Sequence, residues 1–191
     1  MIDIINDTLQ ASIDTKKSAI AENDQRLVKA ARLMAESLTA GGKILLFGNG
    51  GSAADAQHIA AEFVNRFQTE RVPLASIALT TDSSIITSIG NDYSFEEIFS
   101  KQVTALGRKN DVAVGISTSG NSPNVVKALK AAEKVGMHTV AFTGKGGQAA
   151  DMAEIALTVP VGVTARIQES HILMGHILCD LVDRILFPEN F

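Results

Sequence analysis

The sequence predicts an α/β fold: a doubly wound, parallel five-stranded sheet flanked by helices, with a long helical segment ahead of it. Three observations predict it. Short apolar runs of strand length alternate five times with helical patterns, as a parallel sheet with right-handed crossovers requires. Turns rich in glycine and hydroxyls follow the carboxyl ends of four of those runs. One of them, Ile116-Ser-Thr-Ser-Gly-Asn-Ser-Pro123, joins an apolar run directly to a helical one.

The elements follow in order. Residues 1–39 read as helix, with Ile2, Ile5, Leu9 and Ile13, then Leu27, Ala31, Met34 and Leu38, near helical spacing. The polar interval 21–25 is expected to bend or split it. So long an arm ahead of the first strand reads as an oligomerisation element, with a covering helix as the alternative. Gly41-Gly42 ends it. Residues 43–47 form a near-continuous apolar run, as a central parallel strand does. Gly48–Ser52 is a tight turn, and 53–67 is helical, with Ala56, Ile59, Ala60, Phe63, Val64 and Phe67 in one stripe. A second strand spans 74–79. A capping loop at 80–84 leads into 85–89, a turn occupies 90–93, and 95–106 is helical. The third strand is 111–116, followed by the serine-rich turn and a helix that Gly136 ends. Then come a strand at 139–142, a turn at 144–147, a short helix at 148–152, a strand at 155–159 and a helix at 164–186.

Length suits a single domain, 1–191, composed of the helical segment 1–39 and an α/β core 40–191; two small domains are the alternative. A net charge of −4 argues against a nucleic-acid surface. Cys179 is the only cysteine, so no intrachain disulfide forms, which fits a reducing compartment. Its neighbours Leu178 and Leu181 make it a buried structural thiol. No apolar stretch is long enough to span a membrane. The N-terminus lacks the order of a signal peptide. Cytoplasm is the expected location.

In a doubly wound sheet the turns after the strands line one edge, where ligands bind. Ser122 occupies a helix N-cap position and Pro123 the first helical position. The helix N-terminus and the small hydroxyls around it suit a phosphate. Gly48-Asn-Gly-Gly-Ser52 lacks the spacing of a dinucleotide fingerprint, and there is no Walker A sequence, so a nucleotide cofactor is disfavoured. His58 and Glu62 stand four apart on one helical face, with Asp55 and Arg66 extending the row. The row reads equally as a solvated face. The C-terminal helix carries Arg166, Gln168, Glu169, His171 and His176. His171 reads as a surface residue and His176 as a core or site residue. Gln168 and His176 lie eight apart, about 12 Å of rise and about 80° of rotation, so spacing does not pair them. Two histidines, a glutamate and a glutamine could hold a divalent first-row metal.

Gly48-Asn-Gly-Gly-Ser52, Leu79-Thr-Thr-Asp82, Gly90-Asn-Asp92, Gly115-Ile-Ser-Thr-Ser-Gly-Asn-Ser122 and Arg166-Ile-Gln-Glu169 together resemble the sugar isomerase (SIS) family, and within it the phosphoheptose isomerases. The likeness runs from the first helix to residue 187. It implies interconversion of sedoheptulose 7-phosphate and glycero-manno-heptose 7-phosphate, the first step toward heptoses of lipopolysaccharide and other surface glycans. It implies a cytoplasmic homotetramer with active sites between subunits. Carried over by position, Ser117, Thr118, Ser119 and Ser122 hold the phosphate. Asn49, Gly50, Gly51, Ser52, Asn91, Asp92 and Gln168 contact the sugar. Glu62 and His176 form the catalytic pair. His58, Glu62, Gln168 and His176 bind one zinc per subunit.

Aldose–ketose isomerisation moves a proton between C1 and C2 through an enediol. It needs a base near those carbons and an acid at their oxygens. Glu62 suits the first role and His176 the second, and Arg66 is a candidate to assist them. Two other readings compete. Residues 65–71 and 179–188 also resemble non-catalytic SIS paralogues that bind the replication initiator protein. In those paralogues, however, the positions of Glu62 and His176 are replaced. A sugar-phosphate sensor is the third reading, but such modules usually carry a DNA-binding domain.

Overall fold

A computed structural model of the chain describes residues 1–191. Its strands are β1 (Ile44–Gly48), β2 (Ser76–Ala78), β3 (Val112–Ser117), β4 (His138–Thr143) and β5 (Ile155–Thr158). They form one all-parallel sheet in the order β2-β1-β3-β4-β5. β1 and β3 are buried along their whole length, which is why they read as continuous apolar runs rather than alternating ones. From β1 the chain crosses outward to β2 and then back to β3 on the other side. The two neighbouring strands β1 and β3 therefore send their following turns in opposite directions, and a crevice opens between them.

Strand periodicity sends alternate side chains to opposite faces. Ile44, Leu46, Val112, Val114, Ile116, Val140 and Phe142 face α1 (Ile2–Thr39), α2 (Gly51–Val64) and α7 (Thr164–Leu186). Leu45, Phe47, Ala113 and Ala141 face the other layer: α3 (Ser83–Asp92), α4 (Ser100–Leu106), α5 (Pro123–Val135) and α6 (Gln148–Met152). Burying a side chain such as Phe47 contributes about 1.5–3 kcal/mol.

Four local expectations are corrected. The first helix does not bend or split at 21–25 but runs unbroken from Ile2 to Thr39. The polar residue at its centre, Asn23, is fully buried. Its amide donates to the carbonyl of Thr158 and accepts from the Thr158 N–H, so it stands in for a missing strand at the edge of β5. Residues from Ala19 onward cover the sheet and α7, while Ile2, Ile4, Ile5 and Leu9 project, more than half exposed. The covering reading thus describes the residues from Ala19 onward.

The turn expected at 90–93 is the end of α3. Asp82 caps that helix by accepting from the Ile85 N–H at 2.9 Å, and Ile86 and Ile89 pack inward. The helix expected at 95–106 breaks after a 3-10 turn (Phe95–Glu97). There the Ser100 hydroxyl bonds both the carbonyl and the carboxylate of Glu97, an alternative to the helical ladder. β2 is shorter than expected because the Leu74 N–H is drawn to the Phe63 carbonyl instead.

Replacing Asn23 with alanine leaves two main-chain groups of Thr158 without partners. The expected cost is about 1–3 kcal/mol for each group left unsatisfied. At about 2–4 °C per kcal/mol for a chain of this size, a thermal melt should fall by several degrees; an unchanged melt would show that the amide does not dock α1.

Candidate active site

The crevice between the ends of β1 and β3 is built from two turns locked to each other. Asn49, after β1, and Asn124, in the first turn of α5, exchange reciprocal amide hydrogen bonds of 2.8 Å in each direction. Asn124 is 2% exposed, and its oxygen also accepts from the Val125 N–H. Gly50 provides the positive-φ N-cap that starts α2, and Ser52 is buried two residues beyond.

The serine loop is shaped from within. Ser122 is the N-cap residue of α5, but its hydroxyl makes no cap bond. It turns 2.9 Å to the Ser117 hydroxyl, which also meets that of Ser119. The three oxygens therefore converge ahead of a helix N-terminus that the N-cap side chain itself leaves open, a favourable arrangement for an anion. Thr118 is half-buried and its carbonyl accepts from the Gly144 N–H. Gly120 has φ +67°, and a Cβ there would fall 1.8 Å from the Gly146 oxygen, so only glycine lets the loop lie on its neighbour. Asn121 straps the two together: its side chain bonds the Ser119 carbonyl and accepts from the Gln148 N–H at the start of α6.

The acid–base candidates come from α2 and α7. Glu62 Oε1 lies 3.0 Å from His58 Nε2, which lies 3.4 Å from His176 Nε2. The His58 and His176 rings meet edge to face at 5.0 Å between centroids, and Phe67 stacks on His176. Ligand atoms of all three residues fall within 4.8 Å of one another. Two imidazole nitrogens and a carboxylate oxygen so placed suit a zinc-like cation. The helices pack closely at Gly175, where a Cβ would meet the Ile59 side chain at 2.5 Å.

Gln168 lies apart from that cluster. Its amide rests against Gly51, close enough that a Cβ there would clash at 2.5 Å. Gly51 is seven residues ahead of His58, about 10 Å of helical rise. Gln168 thus borders the Gly48–Ser52 turn. Asn91 and Asp92 are exposed at the end of α3 and hydrogen-bond each other. Asp55 is half-buried on α2, with one carboxylate oxygen unpartnered. Burial raises its pKa, and nearby His58 partly offsets that. Arg66 is engaged by Glu70 in solvent rather than by the cluster.

His171 corrects an expectation: it is a core residue, 1% exposed, not a surface one. Its Nε2–H donates to the Thr143 carbonyl at 3.0 Å, and Phe142 packs against the ring edge to face. Its Nδ1 is buried without a partner, so a second proton would find no acceptor. Burial lowers its pKa from 6.5 to about 4, a fall the Thr143 bond only partly offsets. Sequence reasoning gave no role to Asn121 or Asn124, nor to the buried pair of Arg71 and Asp183. Asn124, a polar residue in the first turn of an amphipathic helix, carried a faint signal; Arg71 carried none.

The SIS domain family matches residues 9–144 of the chain. A phosphoheptose isomerase of Nitratidesulfovibrio vulgaris is 58% identical over 173 residues, covering 90% of this chain and 83% of that protein. One from Shewanella loihica is 53% identical, covering 100% of this chain and 98% of that protein. The solved structure of a phosphoheptose isomerase from Neisseria gonorrhoeae is 51% identical with a TM-score of 0.90, covering 95% of this chain and 97% of that one.

The depressed pKa of His171 sets a pH dependence. The unfolded chain takes up this proton near pH 6.5 and the folded one only near 4. The residue's contribution to stability is therefore full above about 6.5 and is lost as pH falls toward 4. NMR should find the His171 ring shifts flat from pH 8 to 5; a midpoint near 6.5 would contradict its burial as a neutral ring.

Proposed function

Because the chain belongs to the SIS-domain family and, within it, to the phosphoheptose isomerases, we infer that it interconverts sedoheptulose 7-phosphate and D-glycero-D-manno-heptose 7-phosphate. The reaction is an aldose–ketose isomerisation. The observation that carries this reading is the cluster of Glu62 and His176, joined through His58 from two different helices. A sugar-phosphate binder would need the serine loop, but it would not need a carboxylate and an imidazole held together. Initiator binding is not favoured, since both residues that its paralogues lack are present here and the named relatives are isomerases.

We assign the phosphate to Ser117, Thr118, Ser119 and Ser122, whose hydroxyls and helix N-terminus favour a dianion. Holding it there supplies binding energy remote from the reacting carbons and orients them. Asn49, Gly50, Gly51, Ser52 and Gln168 border the sugar chain, and Asn91 and Asp92 are assigned to it as well. Glu62 takes the proton from C1 of the ketose and returns one to C2. Its Oε1 faces His58, which leaves Oε2 for this work. His176 stands ready to protonate the carbonyl oxygen, and the roles exchange in the reverse direction.

The donor set of His58, Glu62 and His176 fits zinc, one per subunit, with Gln168 as a fourth ligand once its amide leaves Gly51. A cation held by these residues would supply Lewis-acid polarisation of a substrate oxygen and so ease the demand for a proton from His176. A homotetramer with sites between subunits is supported by the apolar residues Ile2, Ile4, Ile5 and Leu9 on α1, and by Tyr93 and Phe95 beside Asn91 and Asp92. Exposed groups of this kind mark contact surfaces. No helix is long and apolar enough to cross a membrane, and the lone buried Cys179 fits the cytoplasm.

Incubated with sedoheptulose 7-phosphate and zinc, the protein should yield the aldose by NMR, and no turnover would sink the reading. Glu62→Gln should lose turnover by about 100-fold or more while still binding the sugar phosphate; full activity would remove Glu62 as the base. Elemental analysis of protein purified without chelator should find about one divalent metal per chain, lost in His58→Ala. Retention of the metal in that variant would move the site elsewhere.

A further inference from the structure

We propose that Arg71 is a positioning residue that sets the register of α2 against α7, and through it the approach of Glu62 and His58 to His176. Arg71 lies in the connection from α2 to β2 and its side chain is 0% exposed. A guanidinium so deeply buried must satisfy a fixed fork of donors, and here it does so on both helices at once. Nε donates to Asp183 Oδ1 at 2.8 Å. Nη2 donates to the main-chain carbonyl of Glu62 at 2.9 Å. Nη1 donates to the carbonyls of Phe63 at 2.8 Å, Asn65 at 3.0 Å and Val72 at 3.2 Å.

The last carbonyls of a helix have no intrahelical donors. Arg71 supplies them at the end of α2, and one belongs to Glu62 itself. The other arm of the fork holds Asp183, 2% exposed on α7. Asp183 follows His176 by seven residues, which is two helical turns along nearly the same face. One planar group thus fixes the main chain of the proposed base and the helix that carries the proposed acid. Cys179 reports the same neighbourhood. Burial first, then the Glu62 and Asp183 carboxylates, push its thiol pKa up, and Arg71 opposes them. Arg66, five residues earlier, forms only a solvent-exposed pair with Glu70.

Lysine keeps the charge for Asp183 but cannot reach four carbonyls and a carboxylate from one atom. Arg71→Lys is therefore the test, with folding checked by circular dichroism. In metal-free protein the His58 and His176 ring resonances should shift or broaden while those of His138 stay in place. Zinc affinity, measured by chelator competition, should weaken about 10- to 100-fold. On sedoheptulose 7-phosphate, kcat should fall by a similar factor with KM within about twofold, because the serine loop is untouched. Unchanged His58 and His176 resonances with unchanged zinc affinity would overturn the proposal, as would a raised KM at unaltered kcat. The kinetic arm rests on the isomerase reading; if the parent protein does not turn over the sugar, that reading falls while the resonances still judge Arg71. If the lysine variant does not fold, Asp183→Asn, which keeps the acceptor and the shape, takes its place. It should move the same resonances by less, and an unchanged spectrum overturns the proposal.

Discussion

The reciprocal amide pair between Asn49 and Asn124 is the contact on which the site depends. It spans the point where strand order reverses, and it ties the turn after β1 to the helix after β3. Each amide offers one donor and one acceptor to the other, at 2.8 Å, in a place where Asn124 has almost no access to water. Buried amides left unpaired are costly, so the pair holds one geometry. The turn after β1 and the serine loop are consequently tied into a single edge. Gly120 and Asn121 extend that edge to the turn after β4.

The second half of the site obeys a different constraint, the spacing of two helices. α2 and α7 both lie on the same face of the sheet, and Ile59 fills the space that Gly175 leaves open. A Cβ at 175 would crowd Ile59, so either that side chain or the helix would have to shift. Gln168 marks one end of this helix pair, against Gly51. The buried charges of Arg71 and Asp183 mark the other. The serine loop and the cluster of His58, Glu62 and His176 are therefore built on separate supports that meet at α2, which begins in the turn after β1 and ends in that cluster.

Much of this was legible in the sequence where local pattern and global fold agree. β1 and β3 read as central strands because both faces are buried. α5 showed its start in Ser122-Pro123 and its end in Gly136, whose left-handed φ of +86° the structure bears out. The resemblance implied a pairing of Gln168 with His176 that helical spacing had left open, and it named Glu62 and His176 as the catalytic pair. What stayed hidden depended on partners distant in the chain. Asn23 looked like a helix breaker until β5 supplied its partners, and Gly90-Asn-Asp looked like a turn until the Asp82 cap and inward isoleucines carried α3 through it. Nothing local marks His171 as buried, since its acceptor is a carbonyl at the end of β4. Nor does anything near Arg71 point to Asp183, 112 residues away.

The proposed reaction is proton transfer between adjacent carbons by a carboxylate held beside an imidazole. Solvent isotope incorporation tests it most directly. With sedoheptulose 7-phosphate in deuterium oxide, the aldose formed should carry solvent deuterium at C2, and Glu62→Gln should abolish its appearance. Conversion with no deuterium at C2 and with full activity in Glu62→Gln would contradict both the base assignment and the enediol route.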